Sequence, residues 1–321
     1  MAEAMLVRKG GAVLRDLTLI SPPDKLAYYQ GDYLDMDGTI VGARFGTFTI
    51  PLHETAWSYS PTRALVDTDT AILISATIGR VTKTYSVPIT VESFSTVLNN
   101  NSWERIAYAA AAGIAKNLWN VGDVKYFTLN GTQIEARIIA FDADPLAIAD
   151  EMYNDPSYNG NKRKAAIVFQ FFTSPGTSVM HNYNTEVGWD TCYMRTTTIA
   201  DLYDNLPSDL KSVIRLVKKY SYNGYQSRSI ETADRLFLES AYEIINAPGS
   251  TYGGGTERTN RIFYTYYANG NQPIHSVQNW TRSMHGSGCN VRNHFSAINT
   301  SGSLSFPSYS QPQSYFPMFC L

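Results

Sequence analysis

The fold is decided by the C-terminal stretch that begins with Trp280-Thr281-Arg282-Ser283 and ends with Phe316-Pro317-Met318-Phe319-Cys320-Leu321. Its apolar residues predict a buried frame made of Trp280, Phe295, Ile298, Leu304, Phe316, Met318 and Phe319. Polar residues fill the intervals: His285, Ser287, Asn290, Arg292, Asn293, His294, Ser308, Tyr309, Gln311 and Gln313. No Asp, Glu or Lys occurs after Glu257. A neutral surface rich in aromatic and amide groups is typical of a protein-recognition site.

Length and composition indicate a soluble protein of two or three packed domains, because 321 residues with 44% hydrophobic content can bury more than one core. The formal net charge is −2 and there is no basic run, so nucleic acid is not an expected partner. No segment approaches the ~20 apolar residues of a membrane span, and the start MAEAMLVRKGG lacks the apolar core of a signal peptide. We therefore expect neither membrane insertion nor signal-dependent export.

The residues that could carry chemistry are scattered. Cys192, Cys289 and Cys320 are too few for a disulfide framework, and we expect them to be reduced and buried. Asp142-Ala143-Asp144 and Glu186 have no evident partner in the sequence and are expected in loops and turns. Neither a nucleophile nor an acid/base pair is indicated, so we expect a protein that is not an enzyme.

Metal binding is not indicated either. His275, His285 and His294 lie in the same region as Cys289, but their spacings match no strong ligand pattern. We expect no metal and no cofactor.

The N-terminal part of the chain divides into two segments. Residues 1–20 alternate only weakly in hydropathy and are too short to build a core, so we interpret them as an attachment segment. Residues 21–92 are predicted to be all-β, with strand-like runs at 45–50, 71–75 and 81–87. Gly, Asp and Pro separate these runs at the spacing of a small sandwich.

Several motifs in this segment occur in the order expected for a group-3 bacterial immunoglobulin-like domain: Tyr29-x-Gly31-Asp32-x-Leu34-Asp35-x-x-Gly38, Tyr59-x-Pro61, Val81-Thr82-Lys83-Thr84 and Pro88-Ile89-Thr90-Val91. The segment resembles that family over nearly its whole length. The resemblance implies a spacer or docking module without chemistry of its own. A β-sandwich of another family is the alternative.

Residues 93–321 are predicted to be α+β. Ser102 is an N-cap candidate before a run of good helix formers that ends at Gly113, and Asn130-Gly131 is a strong hairpin signal. A strand is predicted at 165–172, and helices at 198–206 and 208–214, with Pro207 in the first position of the second helix. Strands and long polar loops are expected from Leu216 onward.

A second set of motifs runs through this half: Trp103-Glu104-Arg105-Ile106, Trp119-x-Val121-Gly122-Asp123, Ile138-Ile139-Ala140-Phe141-Asp142, Leu206-Pro207-Ser208-Asp209-Leu210-Lys211, Leu236-Phe237-Leu238 and Trp280-x-Arg282-Ser283. With the closing Phe316 to Leu321, they resemble a bacterial and phage domain of unassigned function with a C-type-lectin-like fold. The resemblance covers residues 93–321. The expected fold class is therefore α+β, an immunoglobulin-like sandwich followed by a C-type-lectin-like domain.

Proteins of this kind occur in phage tails and as variable proteins of diversity-generating retroelements, which rewrite C-terminal codons while preserving the scaffold. The resemblance implies a variable-looking region at 280–315, with Tyr309, Tyr315 and His294 as aromatic anchors, because such rings supply large contact area for little lost rotamer freedom. The candidate ligand-binding residues are the polar set above together with Tyr315. A loop surface that is polar because it is solvated is the alternative. Arg282 is expected to tie down a loop.

The resemblance also indicates which chemistries are absent. Calcium-dependent lectins of this fold bind sugars through carboxylates, which the terminal region lacks, whereas direct stacking of sugars on Tyr or Trp stays possible. Formylglycine-generating oxidases share the broad fold but rely on a cysteine pair, and Cys289 and Cys320 have no identifiable support.

The sequence therefore predicts a phage receptor-binding protein of the tail tip or fibre, assembled in the host cytoplasm and carried in the virion. Its expected partners are a host cell-surface protein or glycan and, through the N-terminal segment, other tail proteins. A homotrimer is the expected assembly, because multivalency strengthens weak contacts. The alternatives are a structural tail or baseplate protein and a bacterial surface or injection-system adhesin.

Overall fold

The computed structural model describes residues 13–156, 163–182, 187–223, 228–246, 262–272, 276–284 and 295–321. The chain divides into two compact units, Met1–Phe94 and Ser95–Leu321. Their mixed, sheet-rich secondary structure agrees with the predicted α+β class. None of the helices in these described ranges is long and apolar enough to span a membrane.

The N-terminal unit consists of β-strands that form two antiparallel sheets and one parallel pair. The sheet orders are β1-β3-β4 and β5-β6-β7, and β2 pairs with β8. The strands are β1 Asp16–Ser21, β2 Ala27–Tyr29, β3 Ile40–Phe45, β4 Phe48–Pro51, β5 Ser58–Ser60, β6 Ala71–Ile78, β7 Val81–Pro88 and β8 Thr90–Glu92.

Two features of this unit differ from the sequence prediction. The run at 45–50 is not one strand, because Gly46 adopts a positive φ of 61° and the chain reverses, pairing Phe45 with Phe48. The second is that residues 16–20 of the predicted attachment segment belong to the fold of this unit, since β1 pairs with β3 and Leu17 is buried in the core. Residues 1–12 of that segment lie outside the described residues.

The C-terminal unit begins with the predicted helix. Its α-helices are α1 Trp103–Ala111, α2 Ala115–Leu118, α3 Ala200–Asp204, α4 Ser208–Lys211, α5 Ala241–Ile245 and α6 Thr265–Ala268. Its strands are β9 Val124–Leu129, β10 Thr132–Phe141, β11 Ile167–Phe171, β12 Thr177–Ser178, β13 Val217–Asn223, β14 Arg228–Asp234, β15 Leu236–Phe237, β16 Asn279–Met284, β17 Phe295–Ile298, β18 Leu304–Ser305, β19 Gln313–Ser314 and β20 Met318–Cys320.

Local sequence signals explain several of these elements. The Ser102 hydroxyl accepts a hydrogen bond from the backbone N–H of Arg105 and caps α1, as predicted. Asn130 and Gly131 both have positive φ and close the predicted hairpin between β9 and β10. The sheet β15-β20-β11-β10-β9 continues from this hairpin. The ring of Trp103 packs edge-on against Phe169 and Phe319 of that sheet and joins α1 to the core.

The middle of this unit departs from the sequence prediction in three places. A π-helix, Met194–Ile199, precedes α3, so the first predicted helix begins earlier and is not regular. Pro207 occupies the N-cap of α4 and not its first helical position. The prediction missed α5, although Ser240 and Glu243 form a capping box whose spacing is visible in the sequence.

Candidate functional site

Strands β16 to β19 of the C-terminal stretch join β12 in a sheet with the order β12-β19-β16-β17-β18, whereas β20 belongs to the sheet that contains β11. Trp280, Phe295 and Ile298 are buried in it, and the indole N–H of Trp280 donates to the Ser178 carbonyl at 2.9 Å. Phe316, Met318 and Phe319 are buried as well, whereas Leu304 is half-buried. The predicted apolar frame is therefore confirmed, with Leu304 at its margin.

The described residues include only part of the predicted polar set. The following candidates lie outside the described residues: His285, Ser287, Asn290, Arg292, Asn293 and His294, together with Cys289, His275 and Glu186. All of these except His275 and Glu186 fall in sequence between β16, which ends at Met284, and β17, which begins at Phe295.

Four other candidates lie on the segment that leads into β19. Ser308 and Tyr309 are half-buried, and Gln311 is exposed in a turn closed by its N–H to the Ser308 carbonyl at 2.8 Å. The Tyr309 carbonyl accepts hydrogen bonds from the N–H groups of Met180 (2.9 Å) and His181 (3.2 Å). Gln313 is half-buried and pairs with Ser178 of β12. The backbone of this segment is thus fixed while Gln311 faces solvent.

The prediction that Tyr315 is an exposed anchor is wrong. The chain enters the core immediately after β19, so Tyr315 is only 7% exposed, and burial raises the pKa of its phenol. Its ring closes one side of a cleft of about 310 Å³, which we call the Tyr315 cleft. Residues that line this cleft include Leu129, Asn130, Ile134, Tyr193, Asp201 and Leu202.

The Tyr315 cleft adjoins the predicted recognition segment. Thr198 borders the cleft and its hydroxyl bonds to that of Ser178 at 2.8 Å. Ser178 pairs in turn with Gln313. Sequence reasoning missed this cleft because its walls come from segments that are far apart in the chain, and only the Asn130-Gly131 turn left a local signal.

Buried charges lie beneath β16, the strand that precedes residues 285–294. The Arg282 guanidinium donates to both oxygens of the Glu243 carboxylate at 2.6 and 2.7 Å, and also to the Leu238 carbonyl. Lys219 donates to Glu243 at 2.7 Å and to Asp144 at 2.5 Å. The predicted anchoring role of Arg282 is confirmed. Asp144 lies in a loop, as expected, but it is fully buried and forms an ion pair that the sequence did not indicate.

The electrostatics of this cluster follow from burial and pairing. Burial alone would raise the pKa of the Glu243 carboxyl, but Arg282 and Lys219 outweigh that effect and lower the pKa to about 2. The Tyr264 hydroxyl completes the cluster by donating to Asp144 at 2.9 Å. We call these five residues, Asp144, Lys219, Glu243, Tyr264 and Arg282, the buried ionic network. Paired charges of this kind hold β16 in one arrangement.

Glu239 has a different environment although it lies close to the network in sequence. Its Oε1 accepts a hydrogen bond from the Asn279 amide at 2.8 Å, while its Oε2 is buried and finds no hydrogen-bond partner in the described part of the chain. Burial raises the pKa of this carboxyl to about 8. Glu239 therefore carries a proton at neutral pH, which the sequence did not predict.

No metal or nucleophile site emerges from the described residues. Within these ranges, no group of three or more His, Cys, Asp or Glu side chains is arranged to hold a metal ion. Cys192 and Cys320 are fully buried, as predicted, and burial raises the pKa of the Cys192 thiol to about 12. These thiols stay protonated at neutral pH and are poor nucleophiles.

Comparison with known proteins does not identify a family for this chain. No protein-family model matches this chain, and no curated protein has significant sequence similarity to it.

Proposed function

We propose that this chain is a nonenzymatic receptor-binding protein of a phage tail tip or fibre, which recognises a host cell-surface ligand through its C-terminal region. In this proposal the N-terminal unit is an immunoglobulin-like spacer and the C-terminal unit is a C-type-lectin-like head. A homotrimer would present several such heads, and multivalency would raise the avidity of weak individual contacts.

One observation carries the proposal: a rigid, buried scaffold borders a neutral polar segment at the surface. Trp280 and Arg282 are at most 2% exposed on β16, and hydrogen bonds fix both side chains. Tyr309 and Gln311, by contrast, lie at least partly at the surface on a backbone tied to β12 and its continuation. A fixed backbone with exposed aromatic and amide groups supports recognition at low entropic cost.

The test compares adsorption of the purified full chain to a panel of bacterial strains. The variant replaces Tyr309, Gln311 and Gln313 by Ala. A matched control replaces Tyr126 and Gln133, an exposed aromatic and an exposed amide on β9 and β10. We expect wild type and the control to bind at least one strain and the variant to lose most binding, with all three equally folded by circular dichroism.

Two outcomes would contradict this proposal. Equal adsorption by variant and wild type would exclude the C-terminal segment as the receptor surface. Failure of the folded wild type to bind any strain, together with virions that do not assemble when they carry the variant, would favour a structural tail or baseplate protein.

A further inference from the structure

The Tyr315 cleft is large enough to hold a small molecule. Its volume of about 310 Å³ lies at the lower end of the ~300–1,000 Å³ range of such sites. Leu129 and Leu202 are largely buried and supply a small apolar surface, whereas Ile134 is fully buried. Polar groups approach from the hairpin turn, from the start of the π-helix and from α3. The exposed lining of the cleft is therefore mainly polar, with a smaller apolar part, and this composition suits a polar ligand.

Some polar side chains of this cleft are paired, as Thr198 is with Ser178, but three others are not paired within the described residues. Within the described residues, the phenol hydroxyls of Tyr193 and Tyr315 and the carboxylate of Asp201 make no hydrogen bond to another protein group. Tyr315 is the most informative of them, because its ring is buried and yet its hydroxyl has no protein partner. The ring is buried but its hydroxyl is not among the fully buried polar atoms, so the hydroxyl reaches the surface of the cleft and is available to a ligand.

A larger cleft in the N-terminal unit serves as a contrast. Its volume is about 1010 Å³, but its polar side chains bond to one another. The His53 ring nitrogen pairs with the Thr55 hydroxyl at 3.0 Å, and the hydroxyls of Ser58 and Ser75 pair at 2.9 Å. The Tyr315 cleft therefore differs from this larger cleft not in being bigger but in having hydrogen-bonding groups that are unpaired within the described residues.

The charge of the residues that line the Tyr315 cleft restricts the class of ligand that it can bind. Asp201 is the charged residue among those that line the Tyr315 cleft in the described structure, where neither Lys nor Arg contributes to the lining. An anionic ligand would face this carboxylate without a compensating cation. A carboxylate, an amide and two phenols suit a ligand with many neutral hydroxyl donors and acceptors, and the edges of the two Leu side chains suit its C–H groups.

We propose that the Tyr315 cleft binds a neutral saccharide unit. The Asp201 carboxylate accepts hydrogen bonds from sugar hydroxyls, the Asn130 amide accepts or donates them, and the phenols of Tyr193 and Tyr315 are further partners. The inference deepens the proposed function, because it gives the chemical class of the cell-surface ligand. Only its biological role rests on that function, since sugar binding is measured on the purified chain.

The experiment titrates the full chain with methyl glycosides of glucose, galactose, mannose and N-acetylglucosamine, followed by saturation-transfer NMR. Glucuronic acid and glucosamine serve as the anionic and cationic comparisons. The variants are Tyr315→Phe, which removes only a hydroxyl, and Asp201→Asn. Asp204→Asn is the matched control, because Asp204 is exposed on the same helix and does not line the cleft.

We expect at least one neutral glycoside to bind, and each variant to weaken its binding by about tenfold, the size of one lost hydrogen bond. The Asp204→Asn control should bind as wild type does. Absence of binding by every neutral glycoside would overturn the proposal, as would binding that neither variant changes. Preference for glucosamine that is lost in Asp201→Asn would also overturn it, in favour of a site for cationic ligands.

The two proposals fail in different ways. If a glycoside binds through the cleft but no bacterial strain is adsorbed, the saccharide site stands and the adhesion function fails. If strains are adsorbed through Tyr309 and Gln311 but no neutral glycoside binds, the adhesion function stands and the saccharide site fails.

Discussion

The two units of this chain are stabilised by different kinds of core. In the described residues of the N-terminal unit, 13–94, the buried side chains are apolar apart from the Tyr28 hydroxyl, and the ion pairs lie at the surface. The C-terminal unit adds Lys219, Glu243 and Arg282 to its apolar core. Buried charges are costly unless they are paired, so the network indicates a requirement beyond stability. We hypothesise that this requirement is a single, fixed position for β16.

The largest predicted effect comes from breaking the network at its centre. Glu243→Ala leaves the charges of Lys219 and Arg282 buried with fewer partners, and we expect a loss of about 3–5 kcal/mol in the free energy of unfolding. Urea unfolding followed by tryptophan fluorescence measures it, because four of the five tryptophans lie after residue 95.

The matched control for this change is Glu231→Ala. Glu231 pairs with Lys218 at 3.1 Å, but its side chain is 50% exposed, so the loss should be below about 1 kcal/mol. Equal losses for the two variants would show that burial does not distinguish these ion pairs, and the contrast between the two cores would then have no energetic basis.

A second prediction concerns pH. The native protein keeps the Glu239 proton up to about pH 8, whereas an unfolded chain releases it near the ordinary value of 4.5. The stabilisation from this raised pKa is complete below pH 4.5 and is lost as pH rises toward 8, by about 1.4 kcal/mol per pH unit. Glu239→Gln carries no ionisable group and should remove that slope in urea unfolding measured from pH 5 to 8.

The charged groups near Glu239 should not contribute to this dependence on pH. Glu243 stays ionised throughout the range, because its pKa is about 2, and Arg282 stays charged, so neither contributes a slope. In the N-terminal unit, Ile74→Val should cost about 0.5–1.5 kcal/mol without changing the dependence on pH. A slope that persists in Glu239→Gln would mean that another group titrates.

The difference between local and long-range interactions explains which parts of the molecule could be predicted from sequence. Period-two alternation and turn residues mark β6 and β7, and the capping Ser102 and the Asn130-Gly131 turn mark α1 and the first hairpin, because these signals are local. The apolar frame of the C-terminal stretch could be predicted for the same reason.

Pairings between distant residues left no such signal. Lys219 meets Asp144 across 75 positions and Arg282 meets Glu243 across 39, so neither pair could be read from spacing. The misplacement of Tyr315 has the same origin. Its position among polar residues suggested exposure, whereas the buried run that starts at Ser314 decides its environment. The Tyr315 cleft could not be predicted either, because its lining comes from four separate segments of the chain.

The smallest predicted effect tests the surface of the N-terminal unit. Lys25 pairs with Asp32 at 3.1 Å, and its ammonium lies 4.8 Å from the centre of the Tyr28 ring, but its side chain is 41% exposed. Lys25→Met keeps an apolar stem and removes the charge, so the unfolding free energy should fall by about 0.2–1 kcal/mol. Hydrogen exchange of peptides from residues 13–94, read by mass spectrometry, isolates this unit. Because solvent ions screen an exposed pair, the difference from wild type should shrink at 1 M salt. A loss as large as that of Glu243→Ala would mean that the N-terminal unit also depends on ion pairs, and the distinction between the two cores would fail.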